Sequence, residues 1–289
     1  MDAPMEISRM ASNPGGLLLS LCCLLVPGCA GSGAWSAEPS PEYDDSIAGS
    51  FTPPAAKRPN VAEHYRVRRI GATQPENPVK QPEVVEERLA IAGGSGRVLG
   101  TFRNTYYDFP AESDFGGETT PLFDAGCQPI AQVKTQFHDQ LCVQGSGLLS
   151  SGSTVSFAKR DCGCARVCPK TQQQICYESL DKRKFPWGRG AQGTAITPLL
   201  TVAVDSDVVG LGAALYIPEY EGLPIEPGST TVHDGCFIAE DRGLKVKGKH
   251  VDIFTGDPVI TRFWNRQVPS NKGVTVVLEA PQCARARRD

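Results

Sequence analysis

A segment near the carboxyl end of the chain, residues 232–256, alternates between apolar and polar residues in two short runs. Alternation with a period of two is typical of β-strands, so residues 236–238 and 250–254 are predicted to be strands. Gly243 and Gly248 lie between the two runs, where a tight turn or a closely approaching ligand favours a residue without a Cβ atom. The segment therefore predicts a β-rich fold whose strands are joined by short turns.

Three aspartates, Asp234, Asp241 and Asp252, lie in the same segment. In the second predicted strand, His250, Asp252 and Phe254 share a face, because successive side chains alternate across a strand. Two carboxyl groups that lie close together do not ionise together readily, so one of them keeps its proton to a higher pH. A general acid needs that property. From the residues alone, two interpretations stay open: a functional cleft, and a solvated turn between strands.

The pattern D-x-G-x-x-V-K-G-x-x-x-D-I-F at residues 241–254 resembles the end of the three-aspartate domain. That domain is a double-psi β-barrel, found in the membrane-bound lytic murein transglycosylase A family and in related cell-wall lytic proteins. The resemblance implies that Asp252 is the single catalytic acid/base. It also implies that Asp241 and Lys249 adjust the acidity of Asp252 and position a sugar.

A second segment, V-A-V-D-S-D-V-V-G-L-G-A-A-L-Y-I-P, is also very similar to a segment of three-aspartate barrels. It predicts strands at residues 200–204 and 213–217, with Asp205 and Gly212 at the turn between them. We interpret Asp205 as structural, because an aspartate at the start of a turn accepts hydrogen bonds from its own backbone.

The folded region is predicted to begin near Val98, with a strand that carries Thr105 and Tyr107 on one face. A T-x-Y pair in this place is similar to the first strand of three-aspartate domains. The resemblance implies that the Thr105 hydroxyl bonds a carboxylate in the cleft and that Tyr107 stacks on a sugar. A structural interpretation also stays open, in which the aromatic side chains of this strand pack into the core.

The run Q-G-S-G-L-L, which starts at Gln144, resembles the Q-G-S-G-R motif of the same family, except that Leu148 replaces the arginine. In the family this motif belongs to a second domain inserted into the barrel. The resemblance implies that Gln144 and Ser146 line one wall of a glycan groove, and amides and hydroxyls suit sugars. By itself, a G-S-G run is a common flexible turn.

The amino-terminal run G-L-L-L-S-L-C-C-L-L-V, at residues 16–26, is apolar but too short to cross a membrane. Such a run is typical of the core of a signal peptide. A small residue before Cys29 resembles a bacterial lipobox, so residues 1–28 are predicted to be a lipoprotein signal peptide and Cys29 the lipidated residue. The alternative is ordinary signal peptidase cleavage near Ala37.

The cysteines of the folded region are even in number, and four of them cluster at residues 162–176. Clustered cysteines suit zinc, but the spacing lacks a second C-x-x-C and no histidine is adjacent. Export to an oxidising compartment favours disulfides. We therefore predict four disulfides of undetermined pairing and no metal site. The cysteines concerned are Cys127, Cys142, Cys162, Cys164, Cys168, Cys176, Cys236 and Cys283.

Residues 29–97 are interrupted repeatedly by proline and are predicted to be a largely disordered tether. The predicted fold is all-β: a six-stranded double-psi β-barrel at residues 98–278. A disulfide-stapled, β-rich subdomain is predicted to be inserted at about residues 110–190. Residues 279–289 are predicted to be a solvated tail.

The net charge of −3 gives no electrostatic basis for binding nucleic acid. The resemblance implies a lytic transglycosylase that cleaves the bond between N-acetylmuramic acid and N-acetylglucosamine and forms a 1,6-anhydro product. Its expected partners are the glycan strands of peptidoglycan, and a membrane through the lipid anchor. No cofactor is implied. The predicted location is the cell envelope, as an outer-membrane lipoprotein that faces the periplasm.

Two other functions stay open. The chain departs from the family pattern at Leu244 and Lys245, where a glycine and an alanine are usual, and at Leu148. These departures are compatible with a non-catalytic glycan-binding barrel, as in expansin-like proteins. A purely structural envelope lipoprotein is the third interpretation.

Overall fold

The computed structural model describes residues 56–69 and 96–287. The helices are α1 Val61–Arg69, α2 Thr135–Gln144 and α3 Pro258–Gln267, with short 3-10 helices at Glu112–Asp114, Pro218–Tyr220 and Pro281–Arg287. The strands are β1 Arg97–Asp108, β2 Thr119–Phe123, β3 Pro129–Lys134, β4 Ser146–Leu148, β5 Thr154–Lys159, β6 Cys176–Leu180, β7 Thr201–Val204, β8 Ala214–Tyr216, β9 Cys236–Asp241, β10 His250–Gly256 and β11 Val274–Leu278.

Six strands close into a barrel in the order β1-β10-β7-β9-β8-β11. Strand β1 runs parallel to β10, and β7 runs parallel to β9. The remaining neighbours are antiparallel, including β11 with β1, the contact that closes the ring. The prediction of a β-rich chain is confirmed. The pairing of β1 with β11 gives hydrogen-bond partners to the two strands that would otherwise be the edges of the sheet, so the barrel has no free edge.

The interior of the barrel is filled by the apolar residues that alternate along its strands. In β10, Val251 and Ile253 are fully buried, whereas Asp252 between them points outward and is partly exposed. In β1, Phe102 is buried within the same core. Each such side chain contributes roughly 1.5–3 kcal/mol by leaving water. The period-two pattern thus fixes which face of each strand is available to carry polar groups.

Between β1 and β7 the chain forms two small sheets and helix α2. Strands β2 and β3 pair in one sheet, and β4, β5 and β6 pair in the other. This region has an apolar cluster of its own, which includes Leu122, Val133, Phe137 and Tyr177. Because the cluster is small, the region needs additional constraints to hold its loops in place.

Four disulfides supply such constraints. Three join cysteines within the region between β1 and β7: Cys127–Cys164, Cys142–Cys168 and Cys162–Cys176. The fourth, Cys236–Cys283, ties β9 to the last 3-10 helix. The prediction that all eight cysteines form disulfides is confirmed, and the structure assigns the pairing. Each cross-link stabilises the fold mainly by restricting the unfolded chain.

The predicted tether is wrong for residues 56–69. Residues 61–69 form α1, and the side chains of Val61, Ala62 and Tyr65 are buried in the barrel core cluster. The ring of Tyr65 stacks on His233 with the ring centroids 5.3 Å apart. The physical reason is that little more than one helical turn brings three apolar side chains to the same surface. Prolines before and after the helix do not prevent so short a helix from forming.

The predicted solvated tail is also wrong for residues 279–284. Ala280 and Cys283 are buried against β8 and β9, where the disulfide holds Cys283. The predicted signal peptide at residues 1–28, Cys29, and most of the predicted tether lie outside the described residues. Within the part that the structure describes, no helix has the length and apolar character needed to span a membrane.

Replacing Tyr65 with alanine is expected to destabilise the protein by about 3 kcal/mol, because it removes a buried aromatic side chain from the core. Thermal and urea unfolding followed by circular dichroism will measure the loss. Glu63→Ala is the matched control, since Glu63 lies on the exposed face of the same helix. An equal, small effect for both variants would show that α1 does not stabilise the barrel.

Peptide mapping of the unreduced protein by mass spectrometry is expected to find four cross-linked peptides with the pairing described above. A thiol assay in denaturant is expected to find no free thiol between Cys127 and Cys283. Metal analysis is expected to find no stoichiometric zinc, because a sulfur held in a disulfide is not a thiolate ligand. Two free thiols, or one zinc per chain, would contradict this pairing.

Candidate functional site

The site begins with the pairing of neighbouring strands on the outer face of the barrel. In the parallel pair β1 and β10, Thr105 lies opposite Asp252. Asp252 in turn lies opposite Ala203 of β7, and Ala203 lies opposite Asp241 of β9. The small side chain of Ala203 therefore separates the two strand positions that carry carboxyl groups.

A bulge turns Asp241 outward. The register between β7 and β9 shifts so that Val202 pairs with Ala239 and Ala203 pairs with Asp241, which leaves Glu240 as the extra residue. Simple alternation would place Asp241 on the face of Ala239, which is in the core. Bulges commonly redirect a side chain in this way next to functional sites.

The Thr105 hydroxyl is the closest polar neighbour of Asp252. Its Oγ1 donates to Oδ1 of Asp252 at 2.6 Å. The same hydroxyl lies 2.8 Å from Nε2 of His250, the residue that precedes Asp252 on the outer face of β10. The structure therefore places Thr105 against a carboxylate, in a hydrogen-bonded row that also includes an imidazole.

Burial raises the pKa of Asp252 to about 6, and the negative charge of Asp241 raises it as well. The Thr105 hydrogen bond and the positive charge of Arg103 oppose this rise. A carboxyl group with a pKa near 6 is still partly protonated close to neutral pH. It can then donate a proton, which an ordinary aspartic acid at that pH cannot.

Burial also raises the pKa of Asp241 to about 6, against several hydrogen bonds that favour its ionised form. Its carboxylate accepts from the backbone N–H of Arg242 at 2.8 Å and from the Tyr107 hydroxyl at 3.0 Å. A backbone hydrogen bond from Ala191 acts in the same direction. Asp241 is therefore held by more donors than Asp252.

Tyr107 is not an open platform for a sugar, which contradicts the expectation of stacking. Only 7% of its surface is exposed, and its ring packs on Phe254 with the centroids 4.9 Å apart. Because Phe254 covers the ring, only the hydroxyl of Tyr107 can act on the site, and it donates a hydrogen bond to Asp241. Tyr107 thus positions a carboxylate.

Lys249 does not reach Asp252, so the expectation that it adjusts the acidity of Asp252 is wrong. Its ammonium group donates to the backbone oxygen of Leu99 at 2.8 Å, near the start of β1. Leu99 lies six residues before Thr105 in that strand, a distance of roughly 20 Å. The long side chain follows the strand away from the carboxyl groups.

The two residues expected to line a glycan groove also have internal partners. Ser146 is 6% exposed, and its hydroxyl lies 2.6 Å from that of Ser156, so it has no surface to offer a polymer. That part of the expectation is wrong. Gln144 is partly exposed, and its Oε1 accepts from the backbone N–H of Asp108 at 3.2 Å. It connects α2 to the end of β1.

Asp205 supports the site through the backbone. Its carboxylate accepts from the N–H of Gly248 at 2.7 Å and from that of Asp207 at 3.3 Å. These hydrogen bonds hold the pKa of Asp205 below its usual range. They fix the turn before β10, which agrees with a structural role. Asp234 similarly accepts from the backbone N–H of Cys236.

Arg103 is a residue of the site that the sequence does not single out, and His250 is predicted to share the face of Asp252 but without a function. Arg103 lowers the pKa of both Asp252 and His250, and its Nε donates to Oδ1 of Asn271 at 2.6 Å. His250 contacts Thr105. Alternation along β1 places Arg103 on the face of Thr105, so the period-two pattern contains a usable signal for it.

The side chains of Asp241 and Asp252 are both partly exposed. A cavity of about 610 Å³ lies elsewhere, lined by residues that include Arg58, Asn60, Asp114, Glu226 and Asp257, and it contains neither Asp241 nor Asp252. Among the described residues, Cys127, Cys162 and Cys164 have sulfurs close enough for a metal, but all three are in disulfides. The chemistry therefore rests on two carboxyl groups that are largely buried but still reach the surface.

Residues 200–258 match the family model of the 3D domain. This match covers β7 to β10 and includes both Asp241 and Asp252, so the predicted resemblance to the three-aspartate domain is confirmed there. Comparison with curated proteins found no match.

Several solved structures are similar to the chain. Escherichia coli MltA with bound chitohexaose is 14% identical, with a TM-score of 0.45, over 84% of this chain and 98% of its own. A membrane-bound lytic murein transglycosylase from Agrobacterium tumefaciens is 14% identical, with a TM-score of 0.44, over 74% and 83%. The lytic transglycosylase LtgG of Burkholderia pseudomallei is 16% identical, with a TM-score of 0.35, over 62% and 71%.

Asp252→Asn is expected to make the protein more stable than the wild type at pH 8, and equally stable at pH 4. The raised pKa of about 6 means that the folded protein binds more protons than the unfolded chain between about pH 4 and 6. The free energy of unfolding therefore falls as the pH rises through this range, and the loss persists above it. Asparagine does not ionise and avoids this loss, about 1–3 kcal/mol.

Urea unfolding at the two pH values will measure the effect. Asp205→Asn is the control with the opposite sign at pH 8, because the lowered pKa of Asp205 stabilises the fold above its usual value of 3.8 and this contribution is lost only as the pH falls below that value. Unchanged stability of Asp252→Asn at pH 8 would show that Asp252 is not buried as a charged group.

Proposed function

We propose that the protein is a peptidoglycan lytic transglycosylase, which cleaves the bond between N-acetylmuramic acid and N-acetylglucosamine and leaves a 1,6-anhydro end. The observation that carries this proposal is the carboxyl group of Asp252. It is buried enough for its pKa to rise to about 6, and it is still partly exposed at the surface. The 3D domain match and the resemblance of residues 241–254 to the transglycosylase A family support it.

In this proposal Asp252 acts twice. It first gives its proton to the glycosidic oxygen, so the bond to the muramyl anomeric carbon breaks and the leaving sugar departs as an alcohol. The ionised Asp252 then accepts the proton of the muramyl 6-hydroxyl, whose oxygen bonds the anomeric carbon. The proton count returns to its starting value, and no water is consumed. One carboxyl group suffices, whereas a hydrolase with a water nucleophile needs a second at a defined distance.

Asp241 keeps the acid form of Asp252 available in this scheme. Its negative charge raises the pKa of Asp252, while Tyr107 and the backbone of Arg242 hold its own carboxylate in place. An ionised Asp241 also favours positive charge developing on the muramyl ring as the bond breaks. No cofactor takes part.

We further propose that the closed barrel is a double-psi barrel, with residues 110–190 forming an inserted subdomain. The two parallel strand pairs within a ring that is otherwise antiparallel support this topology. The separate apolar cluster and three disulfides of the inserted region support its treatment as a unit. Gln144, at its junction with β1, is the residue of that region that we expect nearest the glycan.

We propose an envelope location for this protein, with the chain exported and lipidated at Cys29. The apolar run at residues 16–26 and the small residue before Cys29 support export and lipidation. Four disulfides fit an oxidising compartment. The expected partners are peptidoglycan strands and, through the lipid, a membrane.

A non-catalytic glycan-binding barrel is the second candidate. The exposed Leu244 and Lys245, where the family pattern has a glycine and an alanine, favour it. The Lys245 ammonium group lies 3.5 Å from the backbone oxygen of Lys170, so the turn after β9 contacts the inserted region. A turn held in this way alters the surface that a glycan would meet.

Asp252→Asn is expected to abolish release of anhydromuropeptides from purified sacculi and to leave binding to sacculi intact. Asparagine keeps the shape of the side chain but has no proton to give, and general acid–base catalysis commonly contributes about 10²–10⁴-fold. Asp241→Asn is expected to reduce the rate less, because it removes a charge and not the transferred proton. Mass spectrometry of the soluble products will measure each rate.

Asp207→Asn is the matched control, since Asp207 is an exposed carboxylate that the scheme does not use. Circular dichroism will verify folding of each variant. If Asp252→Asn releases products at the wild-type rate, the catalytic proposal fails. If the wild type binds sacculi and releases nothing, the glycan-binding candidate replaces it.

A further inference from the structure

Three side chains on the outer face of the barrel form one hydrogen-bonded row. The Thr105 hydroxyl oxygen lies 2.6 Å from Oδ1 of Asp252 and 2.8 Å from Nε2 of His250. The parallel pairing of β1 with β10 sets this spacing, because Thr105 lies opposite Asp252 and Arg103 lies opposite His250. A hydroxyl has one proton, so Thr105 can donate to only one of its two neighbours at a time.

The surroundings of His250 favour its neutral form. The side chain is buried, and burial lowers the pKa of the imidazole, which the positive charge of Arg103 lowers further. A hydrogen bond to the backbone of Lys245 opposes this. Because Nε2 faces Thr105, we assign the Lys245 bond to Nδ1–H. A neutral imidazole with its proton on Nδ1 presents Nε2 to Thr105 as an acceptor.

We propose that His250 is a positioning residue, whose Nε2 accepts the Thr105 proton so that the Thr105 oxygen can accept from protonated Asp252. The inference rests on the proposed function, in which Asp252 must hold a proton before it meets the glycosidic oxygen. In the acid form, the row runs from the Asp252 O–H to Thr105 and from the Thr105 O–H to His250. Each proton in the row then has an acceptor.

The row reverses when Asp252 gives up its proton. The Thr105 hydroxyl turns to donate to the carboxylate, and Nε2 of His250 loses its donor. No proton passes to His250. When Asp252 is ionised, the imidazole of His250 therefore has one hydrogen bond fewer. When Asp252 takes up the proton of the muramyl 6-hydroxyl, the hydrogen bond from Thr105 to His250 forms again. His250 thus favours the acid form of Asp252 before and after the reaction.

Other charged groups act on the same carboxyl group and set the background for any test. Asp241 on β9 raises the pKa of Asp252, and Arg103 on β1 lowers it. Tyr107 on β1 is neutral, since burial raises the pKa of its hydroxyl well above the usual value. None of these groups acts through the Thr105 hydroxyl. An effect of His250 that requires this hydroxyl can therefore be separated from them.

The test is the pKa of Asp252, measured by carbon-13 NMR of the aspartate side-chain carboxyls, with the resonance assigned by its absence in Asp252→Asn. His250→Phe keeps an aromatic ring and removes the acceptor. It is expected to lower the pKa of Asp252 by about one pH unit, the size of one net hydrogen bond. His250→Gln retains an acceptor near Nε2 and is expected to restore the wild-type value. An imidazolium that donated to Thr105 would give the opposite shift, because its removal would raise the pKa of Asp252.

A double-mutant cycle with Thr105→Val tests whether the effect passes through the hydroxyl. In the Thr105→Val background, His250→Phe is expected to leave the pKa of Asp252 unchanged, whereas in the Thr105→Ser background the lowering persists. If His250→Phe lowers the pKa of Asp252 equally in the Thr105→Val and Thr105→Ser backgrounds, the ring acts directly on Asp252 and the proposal is overturned. So does a rise, or no change, in the wild-type background.

Folding failure of His250→Phe does not remove the test. Nitrogen-15 NMR of the unaltered protein reports the protonation state of His250 directly. At a pH just below the pKa of Asp252, the imidazole is expected to be neutral with its proton on Nδ1. An imidazolium, or a proton on Nε2, overturns the proposal.

These measurements are independent of glycan cleavage. If the protein cleaves no glycan, the proposed function fails, and the NMR result still decides whether His250 acts on Asp252 through Thr105. If it is an enzyme, the alkaline limb of the pH profile of kcat/KM is expected to move to lower pH in His250→Phe by the same amount as the NMR value. A fall in rate with an unmoved limb would assign His250 a purely structural role.

Discussion

The parallel pairing of β1 with β10 is the contact on which the candidate site depends. It places Thr105 opposite Asp252 and leaves their side chains on the outer face, while Val251 and Ile253 fill the barrel. A slip of one residue would turn Asp252 into the core, because side chains alternate with a period of two. Closure of the ring by β11 and the packing of the core therefore fix the position of a single carboxyl group.

Holding that carboxyl group opposes stability. Asp241 and Asp252 both have raised pKa values because burial disfavours their charged forms, so their ionisation near neutral pH weakens the fold. The rest of the chain offsets this weakness. Helix α1 adds apolar side chains to the barrel core, and four disulfides restrict the unfolded chain. Two ionised carboxyl groups that are largely buried thus depend on a scaffold whose other contacts offset their cost.

The sequence predicts what depends on local pattern and misses what depends on tertiary contacts. The alternation in residues 250–254 correctly places Asp252 on the outer face. It does not reveal the bulge that turns Asp241 outward. Glu240 is an extra residue only when β9 is paired with β7, and that pairing cannot be read from the sequence of β9. Residue type also does not distinguish the Ser146 hydroxyl, which is buried against Ser156, from a hydroxyl that contacts a ligand. The direction of the Lys249 side chain depends on its contact with Leu99, which is distant in the sequence. The disulfide pairing is equally tertiary.

The pKa values alone do not decide which aspartate holds the proton, since both are about 6. The hydrogen bonds do distinguish them. Asp241 accepts from Tyr107 and from the backbone N–H groups of Arg242 and Ala191, and a backbone N–H cannot turn round to accept. Asp252 meets the Thr105 hydroxyl, which can donate or accept. Protonating Asp241 would give up charge-assisted hydrogen bonds, whereas protonating Asp252 only reverses one. The first proton taken up by the pair therefore belongs to Asp252, and this preference follows from the kind of donor on each strand.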